Sequence, residues 1–354
     1  MIAPLLRQSW PLPKGPRPIV LIGAGGIVRD AHLPAYRKAG LPVLGITDID
    51  QESAAALARR WDVAHFPTLA DAITDAIADD AVFDLATPPA AHLAVLAALP
   101  KGSTVLIQKP MGRDLTEASA IAELCRARQL TASVNFQLRF SPMVLAVQDA
   151  VTRGLLGRIV DLEVHLNLKT PWHLFPFLRG AERVEIAVHS IHYLDLIRSL
   201  LGNPTGAMVR TMGHPRGELA QTRTAAILDT KPGVRCVLSI NHDHDFGPEF
   251  QQATIRVEGD EGAAVVKLGL LLDYPNGQPD ELWITAGDGW EQIRLEGGWY
   301  PDAFVGTMAN LQRFAAGDDP VLATSVDDAW HTMALVEACF TAATAAATPV
   351  QTSP

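Results

Sequence analysis

The chain has 354 residues, 48% of them hydrophobic and 19% charged, which is enough apolar material for two cores and excludes a disordered chain. A formal net charge of -10, with no long basic run, argues against nucleic acid and anionic membranes as partners. No apolar stretch is long enough to span a bilayer. Cys125, Cys236 and Cys339 stand in no metal-binding spacing, so they read as free thiols of a reducing cytoplasm.

Residues 1–16 are proline-rich and lack the apolar core and cleavage site of a signal peptide; they read as an extended arm. From Arg17 to about Val134, short apolar runs (Ile19–Ile22, Val43–Thr47, Val82–Ala86, Thr104–Gln108, Ala132–Asn135) alternate with alanine-rich amphipathic stretches. That alternation predicts βαβ units and a doubly wound parallel sheet over residues 17–140. After Phe140 the pattern changes. A helix is expected over Ser141–Arg153, a half-exposed strand over Ile159–Leu168, and a helix over Ile191–Leu201 that stops at Gly202. Strands of a mostly antiparallel sheet follow at Gly206–Thr211, Thr222–Leu228, Val234–Asn241, Gln252–Glu258 and Gly262–Leu268. Helices near Phe304–Ala315 and Val326–Ala346 close a second α/β domain, expected to span 141–354.

The first apolar run feeds Gly23-Ala24-Gly25-Gly26-Ile27-Val28. Gly23 permits a tight turn, Gly25 lets backbone approach a pyrophosphate, and the helix that opens at Gly26 and Ile27 offers free N–H groups and a positive dipole end. The third position of this fingerprint, commonly Gly or Ala, is Val28. Asp48 ends the second strand, where a carboxylate accepts from ribose hydroxyls and repels a 2′-phosphate. No Arg follows it, so NAD is favoured over NADP.

Four further segments extend the pattern: Ala86-Thr87-Pro88-Pro89-Ala90-Ala91-His92, Gln108-Lys109-Pro110-Met111-Gly112, Asn135 to Pro142, and His192-Tyr193-Leu194-Asp195 running to Gly202. In order and spacing the chain resembles the glucose–fructose oxidoreductase, inositol dehydrogenase and rhizopine catabolism family (Gfo/Idh/MocA) over about residues 17–348. The resemblance implies a Rossmann domain joined to an α/β domain with a large open sheet, and sugar, inositol or related polyol substrates. It also implies homodimers or homotetramers built through the open sheets, and a cis Lys109–Pro110 bond.

Hydride transfer from a carbinol needs one group to move the hydroxyl proton and another to hold the oxygen as it gains charge. Lys109 follows a parallel strand, and Pro110 restricts it to an extended conformation, so it is a candidate for the second role, with proton transfer as its alternative. His192 matches the family's catalytic histidine. The family often carries an Asp four residues earlier; here that position is Val188. His189 stands three residues before His192, and Glu185 four before His189, so a shifted Glu185–His189 register is the alternative. With no clear third ligand, no metal is expected at these histidines. Thr87, Pro88, His92 and Gln108 are expected near the cofactor, with Gln108 standing where the family has Glu. Arg139, Trp172 and His173, and secondarily Trp299, Tyr300 and Asp302, are candidates to bind a polyhydroxylated ligand. Asn241-His242-Asp243-His244-Asp245 reads as a polar strand end. A non-catalytic NAD-binding sensor on the same fold is the alternative function.

Overall fold

The structure is a computed structural model that describes residues 6–174 and 178–351. Residues 1–5 of the predicted arm lie outside the described residues. The rest of the arm runs along the body: Trp10 Nε1 donates to Asp319 at 2.7 Å and its ring meets Phe140 edge-on.

The first sheet has six parallel strands: β1 (Ile19–Ile22), β2 (Val43–Thr47), β3 (Ala64–His65), β4 (Val82–Leu85), β5 (Thr104–Ile107) and β6 (Thr131–Val134), in the order β3-β2-β1-β4-β5-β6. Every residue of β1, β4 and β5 is buried, as expected for apolar strands covered on both faces. The covering helices are α1 (Leu33–Ala39), α2 (Gln51–Trp61), α3 (Leu69–Ala78), α4 (His92–Ala98) and α5 (Leu115–Ala127). Asp50 caps α2, and Thr68 with Asp71 forms a reciprocal capping box on α3. The strand order reverses between β1 and β4, so the ends of those strands open a crevice.

Helix α6 (Pro142–Thr152) leads into the second sheet. This has eight strands: β7 (Ile159–Asn167), β8 (Gly206–Met212), β9 (Arg223–Asp229), β10 (Arg235–Asn241), β11 (Gln252–Gly259), β12 (Ala263–Lys267), β13 (Glu281–Thr285) and β14 (Glu291–Ile293). Their order is β14-β13-β12-β11-β7-β10-β9-β8, antiparallel throughout except for the β7/β10 pair. Burial alternates along β9, β10 and β11, so one face packs on helices and the other is open. Strands β13 and β14 were not anticipated. Both are short and sit among glycine-rich turns, which hides their period.

Helices α7 (Ile191–Leu201), α8 (Ala303–Ala315) and α9 (Val326–Ala343) complete the fold. The last two pack back on the first sheet: Thr307 on α8 donates to Asn135, Val134 N donates to Thr324 O at 2.7 Å, and Trp330 on α9 donates to Ser119 on α5. Among the described residues, no helix is long and apolar enough to cross a membrane.

Candidate active site

The glycine turn takes the shape its residues demand. Gly23 has φ +120°, and a Cβ there would sit 2.5 Å from the Ala86 carbonyl oxygen, so only glycine fits. At Gly25 a Cβ would meet nothing within 4 Å; backbone there faces the cleft with room for a pyrophosphate to approach. Val28 is fully buried at the position where a small residue is common, and there the helix opens with one wide π-helical turn, Val28–His32, before α1. Asp48 accepts from Ala24 N at 2.6 Å and Asp50 N at 2.8 Å, tying the turn to the start of α2. Its neighbour Ile49 is fully exposed, and no cation accompanies the two carboxylates of Asp48 and Asp50 in sequence. These features fit a dinucleotide without a 2′-phosphate.

A cleft of about 2060 Å³ runs from this turn to the second sheet. Gly25, Gly26, Ile27, Thr87, Pro88, Gln108, Lys109, His189 and His192 line it, from elements far apart in sequence. The Lys109–Pro110 bond is cis, as the resemblance implies. Lys109 reaches across to the second half of the chain, where Nζ donates to the Val188 carbonyl oxygen at 2.9 Å. The position that lacks an acidic side chain thus meets the lysine through its main chain. Loss of water around Lys109 pulls its pKa down to about 8.

Val188 lies within a second wide turn, Ile186–Ser190, directly before α7. Such turns place residues five apart, rather than four apart, over one another. Glu185 accordingly bonds to Ser190, accepting from its N at 3.1 Å and its Oγ at 2.5 Å, while its other oxygen accepts from Thr224 on β9. The acid-x-x-x-His register assumed α-helical spacing; the wide turn directs Glu185 instead toward His242, whose Nε2 lies 3.6 Å away. His189 stacks on His242 with ring centroids 4.4 Å apart and meets Trp172 edge-on at 5.2 Å. Burial first, then the neighbouring charges of His242, Lys109 and His192, holds His189 well below its ordinary pKa. Burial followed by Lys109 does the same to His192, whose buried Nδ1 has no hydrogen-bond partner among the described residues. Both imidazoles are therefore neutral at pH 7.

Several expected residues sit elsewhere. Arg139 does not face the cleft: it is buried between Asp195, at 2.5 and 2.6 Å, and Asp328, at 2.8 Å. Asp195 also accepts from Thr332, so this cluster joins α7 to α9. His92 lies under the cleft wall rather than in it, with Nε2 3.1 Å from the Thr87 carbonyl oxygen; burial pushes its pKa down to about 4. It holds the loop that presents Thr87. His173 is exposed and outside the cleft lining, because its short helical turn aims it at solvent. Trp172 backs the histidine pair. Trp299 and Tyr300 line the cleft, whereas Asp302 is held by Lys38 and Gly298 N.

The sequence reading missed Tyr274 and His242 among the lining residues. Tyr274 faces Tyr300, hydroxyl to hydroxyl, at 3.0 Å. His242 is 2% exposed, with Nδ1 2.6 Å from Thr170 Oγ1. Its signal was present: Cys236, Leu238 and Ile240 form the buried face of β10, and His242 continues that face by two residues. Among the described residues, no three His, Cys, Asp or Glu side chains converge as a metal-ligand set.

Comparisons with known proteins agree with this architecture. Residues 17–136 match the family model GFO_IDH_MocA, described as an oxidoreductase family with an NAD-binding Rossmann fold. A D-apiose dehydrogenase of Paraburkholderia graminis is 26% identical, covering 91% of this chain and 86% of its own. An inositol 2-dehydrogenase of Cereibacter sphaeroides is 28% identical, covering 76% of this chain and 77% of its own. The crystal structure of an oxidoreductase from Agrobacterium radiobacter, in complex with NAD+, L-tartaric acid and magnesium, superposes with a TM-score of 0.77 at 21% identity, covering 93% of this chain and 96% of that one. Residues 17–136 match the NAD-binding Rossmann fold of the Gfo/Idh/MocA oxidoreductases, and over most of its length the chain is similar to dehydrogenases of sugars and polyols.

Proposed function

We propose that this NAD-dependent oxidoreductase moves a hydride between nicotinamide and a carbinol or ketone carbon of a sugar, inositol or related polyol. The observation that carries the reading is the Lys109 bond to Val188, which brings the ammonium from the end of β5 to the turn that bears His189, directly before His192 at the start of α7. Gly25, Gly26 and Ile27 would hold the cofactor's pyrophosphate, Asp48 its adenosine ribose, and Thr87, Pro88 and Gln108 its nicotinamide half. Bound NAD supplies the hydride acceptor. Lys109, cationic below about pH 8, donates to the substrate oxygen and stabilises its developing charge. His192, neutral at pH 7, takes the hydroxyl proton as general base and returns it in the reverse direction. His189 and His242, backed by Trp172, offer ring nitrogens and an aromatic wall to a hydroxylated ligand. Incubation with NAD and a panel of inositols and aldoses is expected to yield reduced cofactor with at least one. A chain that binds NAD yet oxidises none of them, and oxidises NADH with none of the matching ketones, would be a sensor instead.

The unmodified protein should bind NAD more tightly than NADP. Asp48→Ala removes the ribose acceptor and releases Ala24 N and Asp50 N, so NAD binding should weaken by about tenfold, about 1.4 kcal/mol, and the preference should narrow. Titration of both cofactors checks this, and tighter binding of NADP by the unmodified protein refutes it.

We further propose a homodimer or homotetramer formed through the open face of the second sheet. Edge strand β8 carries Met208 and Met212, and its neighbour β9 carries Ile227; they are 56%, 51% and 47% exposed. Sedimentation should show an oligomer at micromolar concentration, with Ile227→Asp shifting it to smaller species. A monomer at that concentration contradicts the proposal.

A further inference from the structure

A buried polar chain runs behind the cleft floor, and each of its bonds has a direction. Asp84, at the middle of β4, is fully buried and accepts from Tyr36 OH at 2.7 Å. Burial, followed by the charge and hydrogen bond of Asp84, raises the Tyr36 pKa, so the phenol keeps its proton and donates. The same carboxylate oxygen lies 2.5 Å from His32 Nδ1. A carboxylate accepts, so Nδ1 carries a proton; in that tautomer Nε2 is an acceptor. Asn135, also fully buried, meets that nitrogen with Nδ2 at 3.4 Å and donates from the same Nδ2 to Gln108 Oε1 at 2.9 Å. Its Oδ1 faces Thr307 Oγ1 on α8, at 2.9 Å, the nearer of the two acceptors of that hydroxyl, the other being the Phe304 carbonyl oxygen at 3.1 Å.

This chain settles the orientation of the one member that borders the cleft. With Oε1 held inward by Asn135, Gln108 turns its Nε2 amide outward, beside Lys109. We infer that Asp84, His32, Asn135 and Thr307 are positioning residues that lock Gln108 as a hydrogen-bond donor, and that the donor takes an acceptor oxygen on the nicotinamide half of the cofactor. The strand order supports that half. The ends of β1 and β2 carry the glycine turn and Asp48, whereas Gln108 follows β5 on the far side of the switch point. A Glu at this position would present an acceptor where this chain presents a donor. The inference rests on the reading of the cleft as an NAD site.

The test is NAD affinity in a double-mutant cycle on the full chain, with thermal melts as the folding control. Gln108→Glu should weaken NAD binding by about tenfold, the loss of one good hydrogen bond. Asn135→Asp touches no ligand; it should act in the same direction by turning the Gln108 amide so that Oε1 faces the cleft. In a Gln108→Met background, the Asn135→Asp change should lose its effect, since the amide it turns is gone. A purely structural role for Asn135 would leave its effect unchanged in that background. If Asn135→Asp fails to fold, Thr307→Val decides: it frees the Asn135 amide and should weaken NAD in the presence of Gln108 but not of Met. Unaltered affinity in Gln108→Glu, or additive effects in the cycle, overturns the inference. A wild-type chain that binds no NAD overturns instead the cofactor reading beneath it.

Discussion

His192→Ala is expected to lower turnover by about two orders of magnitude or more while NAD still binds, the scale of a lost general base. His192 stands at the first turn of α7, after a wide turn whose geometry sends Glu185 toward Ser190 and His242. No carboxylate thus stands four residues before it to raise its pKa, and burial with Lys109 lowers it, so the base is already in its accepting form at neutral pH. Lys109→Ala should cost as much, because it removes the donor that holds the oxygen. A rate assay on the three single variants at His189, His192 and Lys109 separates the roles. A dead His189→Ala beside a nearly intact His192→Ala would move the base to His189.

Asp195→Ala should be the most damaging change outside the cleft. Arg139 is 8% exposed and gives two short bonds to Asp195; Arg198 lies 3.8 Å from the same carboxylate, and Thr332 donates to it. Removing the acid leaves two guanidinium groups in low dielectric with only Asp328 to share, and breaking one side of a buried pair costs about 3 kcal/mol or more. A denaturant titration should show that loss, and Asp195→Asn, which keeps the shape and can still accept, should lose less. A change within about 0.5 kcal/mol, the range of an ordinary surface substitution, would contradict the role given to this cluster.

The first sheet was legible because parallel strands buried on both faces are unbroken apolar runs, and because Gly23 stands where no side chain fits. That Lys109 and His192 line one cleft was legible through motif order. Three things were not. The wide turns at Val28–His32 and Ile186–Ser190 carry no proline or glycine to mark them, yet the second one decides which residue Glu185 meets. Arg139 resembled a ligand donor because nothing local shows that Asp195 and Asp328, 56 and 189 residues away, close on it. His242 was set aside with its polar neighbours, although it continues the buried face of β10.

The pH dependence of kcat/KM for substrate oxidation tests the assignment of Lys109 and His192 most directly. Burial sets the Lys109 pKa at about 8, so the lysine is a cation below that pH and a neutral amine above it. If it holds the oxygen as a donor while His192 takes the proton, the rate is level near neutrality, because His192 is deprotonated there, and falls as pH rises through about 8. That limb should be absent in Lys109→Met. A rate that instead climbs through about 8, and loses that climb in Lys109→Met, would make the lysine the base and contradict the account.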